Sequence, residues 1–320
     1  MGLALFSCNT NRFIYRLLSR IGITTAYSTV NEQLHRLGNS VVDTLRRLGE
    51  RIKNKVANVI WIYDNIQRHY LPSEQSIAHK SEMRTGTAAT VLIMEDVPEG
   101  TLDPTRFTSR LHLGSNLCFK DLADGIDQDH IQGIGVATLL SIWTKYIPHL
   151  KPFSPDAEKL FTTTHQKHRL RLRKSQYYPL KTSNIDESTP SGTQEVLKNI
   201  ASQLGLKEED FEDLLIPAAG DQLTVNNIRK LKMHTSGDDS THDRYTWVLP
   251  WIQLWHMKWA ALRSVFHPHW FAGSGKGLCG LHADCTTLGR KHINPAKCDF
   301  YSHTELIFDT FEALCLGALQ

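Results

Sequence analysis

The chain has 320 residues, 41% of them hydrophobic and 22% charged, and its net charge is +3 with the 16 histidines taken as neutral. A mean hydropathy of -0.32 and the lack of a long apolar run exclude a conventional membrane span and suit one large or two modest globular domains. The charge is too near balance to demand or exclude a nucleic-acid partner. The cysteines at 8, 118, 279, 285, 298 and 315 are scattered, with no secretory segment before them, so an intracellular, reduced protein without a membrane is expected.

Residues 1–57 read as a helical N-terminal region. Asn11 to Arg20 predicts a short basic helix. Val30, Leu34, Leu37, Val41, Leu45, Leu48, Ile52 and Val56 then fall three or four apart, a single helical stripe. Arg36, Arg46, Arg47, Arg51, Lys53 and Lys55 lie off that stripe, either as a solvated face or as a contact for DNA or a partner.

Residues 58–320 read as the core. Val59 to Tyr63 is β-branched and aromatic and delivers Asp64; Thr87 to Met94 is a second strand, and the two suggest an antiparallel pair. Residues 105–212 read as a large, mainly helical insertion. Within it Gly133 to Ile147 predicts a buried helix and Ala157 to His168 another. His168 to Lys174 alternates apolar and basic residues like an exposed strand, and Lys181 to Thr193 reads as a loop before a helix over Gln194 to Leu204. Beyond the insertion, Leu214 to Ala219 predicts a strand that Pro217 marks as an edge or a kink. Thr224 to Met233 follows as a helix, and Trp247 to Trp255 as a strand that delivers His256. Lys258 to Phe266 is helical, Gly273 to Gly280 a loop, and Thr304 to Leu319 a last helix.

Asp64 and Asp221 are the leading candidates for chemistry. Carboxylates at neighbouring strand ends can hold Mg²⁺, because hard cations take oxygen ligands, and such ions serve phosphodiester chemistry. The alternative is structural, since Asp64-Asn65 and Gly220-Asp221 are good turn formers. His256 could join the acids. Trp247, Trp251, Trp255 and Trp259 suit a packed aromatic cluster better than base stacking. Arg169, Arg171, Arg173 and Lys174 could track a phosphate backbone or be solvated edge charge. Cys279, His282, Cys285, His292 and Cys298 are ligand types for Zn²⁺, but their spacing fits no familiar finger, and Zn²⁺ is not expected. Ala272 to Gly277 lacks the first glycine of a phosphate loop, and no nucleophile elbow is present.

Four segments carry a resemblance: Asn58-Val-Ile-Trp-Ile-Tyr-Asp-Asn-Ile66, Thr85-Gly-Thr-Ala-Ala-Thr90, Gly220-Asp-Gln-Leu-Thr-Val225 and Leu254-Trp-His-Met-Lys-Trp259. With His168 to Ser175 and Leu18 to Thr29, they resemble a family of uncharacterised proteins abundant in mushroom-forming fungi, a domain of unknown function. Its motif order is similar to that of Mutator-like DNA transposases with a ribonuclease-H-like core. The resemblance implies an α/β protein with a ribonuclease-H-like mixed sheet. It implies DNA as partner, a nuclear place of work, and Mg²⁺ at Asp64 and Asp221 with His256 beside them. Departures are a missing cysteine, since Gln253 stands three residues before His256, and the third acid. Glu305 and Glu312 are the candidates on the last helix, and that helix runs into the end of the chain, so a truncated C-terminus carrying the true third acid is also expected. The rival expectation is a non-catalytic remnant that binds nucleic acid or protein.

Overall fold

The computed structural model describes residues 1–8, 10–70, 81–110, 114, 116–167, 171–270, 280–290 and 293–319. The chain begins with helices α1 (Gly2–Ser7), α2 (Arg12–Arg20) and α3 (Tyr27–Lys53), then strands β1 (Val59–Tyr70) and β2 (Glu82–Ile93). Four short or medium helices follow: α4 (Pro104–Arg110), α5 (Phe119–Asp124), α6 (Gln128–Tyr146) and α7 (Ser154–Lys159). Next come β3 (Tyr177–Pro179), α8 (Pro190–Leu204), β4 (Ile216–Gly220), α9 (Gln222–His234) and β5 (Val248–Ile252). The chain closes with α10 (Leu254–His269), α11 (Leu281–Thr287) and α12 (Phe300–Gly317). It divides into two compact units, Met1–Ser109 with Ser175–Ile252, and Arg110–Lys174 with Gln253–Gln320. The segment 105–212 is shared between them: 110–174 lies in the second unit, whereas 175–212 supplies β3 and α8 to the first.

The first unit is α/β. Its five strands lie in the order β3-β2-β1-β4-β5. β2 is antiparallel to β1 and β3, while β1, β4 and β5 are parallel, so the sheet is mixed. Val59, Trp61 and Tyr63 alternate into the core, and Ile60 and Ile62 between them are half-buried. The β1–β2 ladder runs much further than the apolar pattern, from Val59↔Ile93 to Tyr70↔Glu82. Its outer half is polar, and it holds together because two antiparallel strands satisfy each other's backbone groups without a core beneath them.

α3, α8 and α9 supply Leu45, Leu48, Ile52, Val196, Leu197, Ile200, Leu204, Ile228 and Leu231 to the same core as the strands. α3 and α8 approach closely at Gly49, where a Cβ would stand 2.0 Å from the Leu204 carbonyl oxygen. The α3 stripe is covered at its two ends only. Val30 is buried near α1, Leu45 to Ile52 are buried in the sheet core, and Leu37 and Val41 between them are exposed. Trp247 closes the core at the base of β5, edge-on to Trp61 at 5.4 Å and against Phe211 at 4.1 Å.

Pro217 is not on an edge: β4 lies between β1 and β5. The Ile216 N–H points to β5, donating to the Trp247 carbonyl at 2.7 Å. By strand alternation the missing N–H of Pro217 faces β1, whose pairing with β4 begins only at Ala218. Pro250 does sit on an edge strand, β5.

The second unit is helical among the described residues. Phe266, Leu281, Cys285 and Leu306 of α10, α11 and α12 form its small core. α6 and α12 are tied by Trp143 Nε1 donating to the Cys315 carbonyl at 3.3 Å and by Lys145 pairing with Glu312 at 2.9 Å. α6 is less buried than its apolar composition predicts, with only Ala137, Ile142 and Thr144 buried. Arg171 to Lys174 are exposed and form no strand, and His168, Arg169 and Leu170 lie outside the described residues. Among the described residues no helix is long and apolar enough to cross a membrane.

Candidate functional site

The parallel pairing of β1 with β4 positions the two aspartates. Trp61 lies beside Ala218 and Ile62 beside Ala219. Asp64, two residues after Ile62, and Asp221, two after Ala219, therefore lie just past the β1–β4 pairing, at the same end of it. β4 is wholly buried and built of small residues. It turns into α9 at Gly220, where a Cβ would stand 2.5 Å from Thr224 Cγ2. Asp221 is therefore the cap of α9, its Oδ1 accepting from the Thr224 N–H at 2.8 Å. Asp64 is exposed and its Oδ1 accepts from the Asn65 N–H at 2.8 Å. Both aspartates thus fill local structural roles with one oxygen and keep the second.

A third carboxyl group joins them from a place where the sequence reads as loop. Glu187 precedes α8 and is only 3% exposed. Its backbone N–H donates to Asn65 Oδ1 at 3.3 Å, the residue after Asp64. Its carbonyl accepts from Asn227 Nδ2 at 2.9 Å and Thr193 Oγ1 at 3.2 Å. In the side chain, Oε1 accepts from Thr224 Oγ1 at 3.4 Å, and Oε2 is buried with no partner among the described residues. Burial first, then the charges of Asp64 and Asp221, push the Glu187 carboxyl up to about 7. The same surroundings raise the Tyr63 hydroxyl well above its ordinary value: burial, then Glu187 and Asp221. Each acid comes from a different element: β1, the approach to α8, and the end of β4.

As they stand these three do not form a ligand set. Among the described residues no group of three His, Cys, Asp or Glu side chains is arranged to hold a metal ion. The fit to a cation comes from Glu187 itself, whose buried, partnerless Oε2 amid like charges calls for a positive neighbour or a proton.

The remaining predicted residues fall elsewhere. His256 is not at a strand end but in the first turn of α10, half-buried and edge-on to Trp255 at 4.9 Å. Glu305 pairs with Arg290 at 3.3 Å, and Glu312 with Lys145 and Tyr146. Arg171, Arg173 and Lys174 are exposed in the second unit. Of the cysteine–histidine cluster, Cys279 and His292 lie outside the described residues, as does most of the loop expected over 273–280. Cys285 is buried and donates from Sγ to the Arg290 carbonyl at 2.8 Å.

One sequence signal could have found Glu187. Thr189-Pro190 is a cap followed by proline at the first helical position, which starts α8 earlier than Gln194. That places Glu187 on the approach to a helix beside a sheet and not in a free loop.

The chain is α/β with a mixed sheet carrying carboxylates at one end, and it belongs to a family of unknown function. Residues 113–320 match that family, described as a family of unknown function (DUF6589). Glu187 and Asp221 lie inside the matched range and Asp64 before it. No curated protein and no solved structure matches the chain.

Proposed function

We propose that the chain is a transposase-derived protein with a ribonuclease-H-like core, which cuts or joins phosphodiester bonds of DNA with Mg²⁺. The observation that carries this reading is the meeting of Asp64, Glu187 and Asp221 at one end of the sheet. Strand β1 bears the first acid, and β4, Asp221 and α9 form the strand–acid–helix unit that the transposase resemblance implies. Glu187 takes the place of the third acid in the proposal, in preference to Glu305 and Glu312, each already paired.

Glu187, Asp221 and Asp64 are the residues that would hold the ion. Mg²⁺ would supply charge stabilisation at the phosphoryl oxygens when bound. The chain's own part is to fix Glu187 through Asn65, Asn227 and Thr193, and to keep one oxygen of each aspartate unused by local bonds. In the reaction a water or strand-end hydroxyl oxygen bonds to phosphorus and the P–O bond to the leaving strand breaks. The attacking oxygen gives up its proton to solvent as it bonds, and the leaving oxygen takes one up from solvent. A nuclear place of work goes with the reading.

A non-catalytic, nucleic-acid- or protein-binding descendant is the second reading. It is favoured by the local roles of Asp64 and Asp221 and by the lack of a ready ligand set. Nicking of supercoiled plasmid by the purified chain, with Mg²⁺ or with chelator, separates the two. The wild type should nick only with Mg²⁺, and Asp221→Asn and Glu187→Gln should each lose that activity while keeping the circular dichroism of the wild type. Equal nicking by both variants would sink the catalytic reading; no nicking by any form would leave the binding descendant.

A further inference from the structure

Helix α2 carries two stripes that the first unit does not use. Arg12, Arg16 and Arg20 recur every fourth residue along one side of it. Phe13, Leu17 and Ile21 recur in the same way on the adjoining side, with Ile14 next to them and Ile21 just past the last turn. The three arginines are exposed, and the four apolar side chains are 41% to 69% exposed.

The helix is held by its other side. Tyr15 is buried, donates its hydroxyl to the Gly2 carbonyl at 2.7 Å and meets the Tyr27 ring edge-on at 5.3 Å. The Arg12 guanidinium lies over the same Tyr27 ring, 4.7 Å from its centroid. Asn11 Oδ1 accepts from the Phe13 N–H at 2.9 Å and fixes the first turn. The exposed apolar face therefore belongs to a helix that is already anchored. Ile23 extends that face beyond α2 and shares a cleft with Leu3, which is also exposed.

Charge and apolar surface together select the partner. Residues 1–31 contain these three arginines and no acidic residue. None of the three is paired with an acid among the described residues. A second copy of this patch would bring only like charge to it. A nucleic-acid backbone would answer the arginines and leave the apolar stripe in water. An anionic lipid surface answers both stripes: the apolar side chains enter the boundary between headgroups and acyl chains, and the guanidinium groups stay among the headgroups. Nine residues make a helix about 14 Å long, far too short to cross a bilayer, so α2 would lie in the plane of the surface.

We propose that α2 attaches this protein to anionic membrane surfaces, with Phe13, Ile14, Leu17 and Ile21 inserted and Arg12, Arg16 and Arg20 on the lipid headgroups. The proposal does not rest on the carboxylate site.

Sedimentation of the full chain with vesicles tests it, using phosphatidylcholine alone or equal parts phosphatidylcholine and phosphatidylserine. The wild type should bind the mixed vesicles, bind pure phosphatidylcholine far more weakly, and lose affinity as salt is raised. Changing Arg12→Gln, Arg16→Gln and Arg20→Gln together should weaken binding to the mixed vesicles about a hundredfold. Changing Phe13→Ser, Leu17→Ser and Ile21→Ser together should weaken it at least about tenfold, although every charge is kept. Both variants alter exposed side chains and should keep the wild-type circular dichroism, and Asp221→Asn should bind as the wild type does. Failure of the wild type to bind the mixed vesicles would overturn the proposal, and so would equal binding by either triple variant. A DNA duplex bound through the arginines with no need of the apolar stripe, and no vesicle binding, would assign the patch to nucleic acid instead. Self-association of the wild type that the serine variant abolishes, again without vesicle binding, would assign it to a second copy.

Discussion

The two units distribute their apolar residues differently. Among the described residues of the first, 25 buried residues form one core that joins the strands to α3, α8 and α9. Among the described residues of the second, four buried residues form the core, and Phe119, Leu122, Ile131, Phe308, Phe311 and Leu314 stand exposed. A sheet closes its own hydrophobic face once helices cover it. A set of helices with a small core leaves much of its apolar surface facing outward, and composition then says little about burial. That difference teaches where a carboxyl group can be held under strain from its surroundings: Glu187 is buried and pinned in the first unit, whereas Glu305 and Glu312 have found cations in the second.

The comparison can be broken first at the core. Trp61→Ala removes a fully buried ring packed on Trp247, and we predict a loss of about 3–5 kcal/mol in urea unfolding followed by circular dichroism. A loss under 1 kcal/mol would mean that the sheet core is not the main stabiliser of its unit.

Glu187 gives the next effect. Its folded carboxyl is raised to about 7 from an ordinary 4.5. The folded state therefore binds its proton more tightly than the unfolded chain does. Stability should be highest below the unfolded value and should fall as pH rises from about 4.5 to about 7. Allowing for solvent at the site, the fall is about 1–3 kcal/mol. Glu187→Gln should flatten that part of the stability profile, and Mg²⁺ should raise the melting temperature of the wild type more at pH 8 than at pH 5. An unchanged profile in the variant would remove Glu187 from the acidic cluster.

Smaller effects sharpen the contrast. Thr189→Ala deletes the α8 cap that accepts from the Gly192 N–H at 3.0 Å, and we expect a loss of about 1 kcal/mol in the same unfolding experiment. Phe308→Ser on α12, where the ring is 59% exposed, should change stability by less than about 0.5 kcal/mol. A cost above 1 kcal/mol there would mean that this surface is covered in solution.

How far all this was legible depends on the range of the contacts involved. β1 with Asp64, and β4 with Asp221 and α9, follow from short apolar runs and a local cap, and both are readable along the chain. The outer half of β1 and β2 was not, because Gln67, His69 and their partners carry no apolar alternation and are ordered by the ladder alone. His256 reads as following a strand only if β5 is extended past Ile252; Gln253 instead opens α10. Glu187 was hidden most fully. Of the groups that fix it only Thr193 is near in sequence; Asn65, Thr224 and Asn227 are distant, and its own neighbours Asp186 and Ser188 look like a polar turn.

The sheet order has a practical consequence for the family itself. The matched range, 113–320, contains β3, β4 and β5 but neither β1 nor β2. In the sheet, β1 and β2 are the two strands that stand between β3 and β4. A protein cut to the matched range would keep β3 with no neighbour and leave β4 with an open edge beside Ala218 and Ala219. Trp247 would lose the ring of Trp61 from its side. Such an edge pairs readily with other chains, so expression designs for this family should begin before β1.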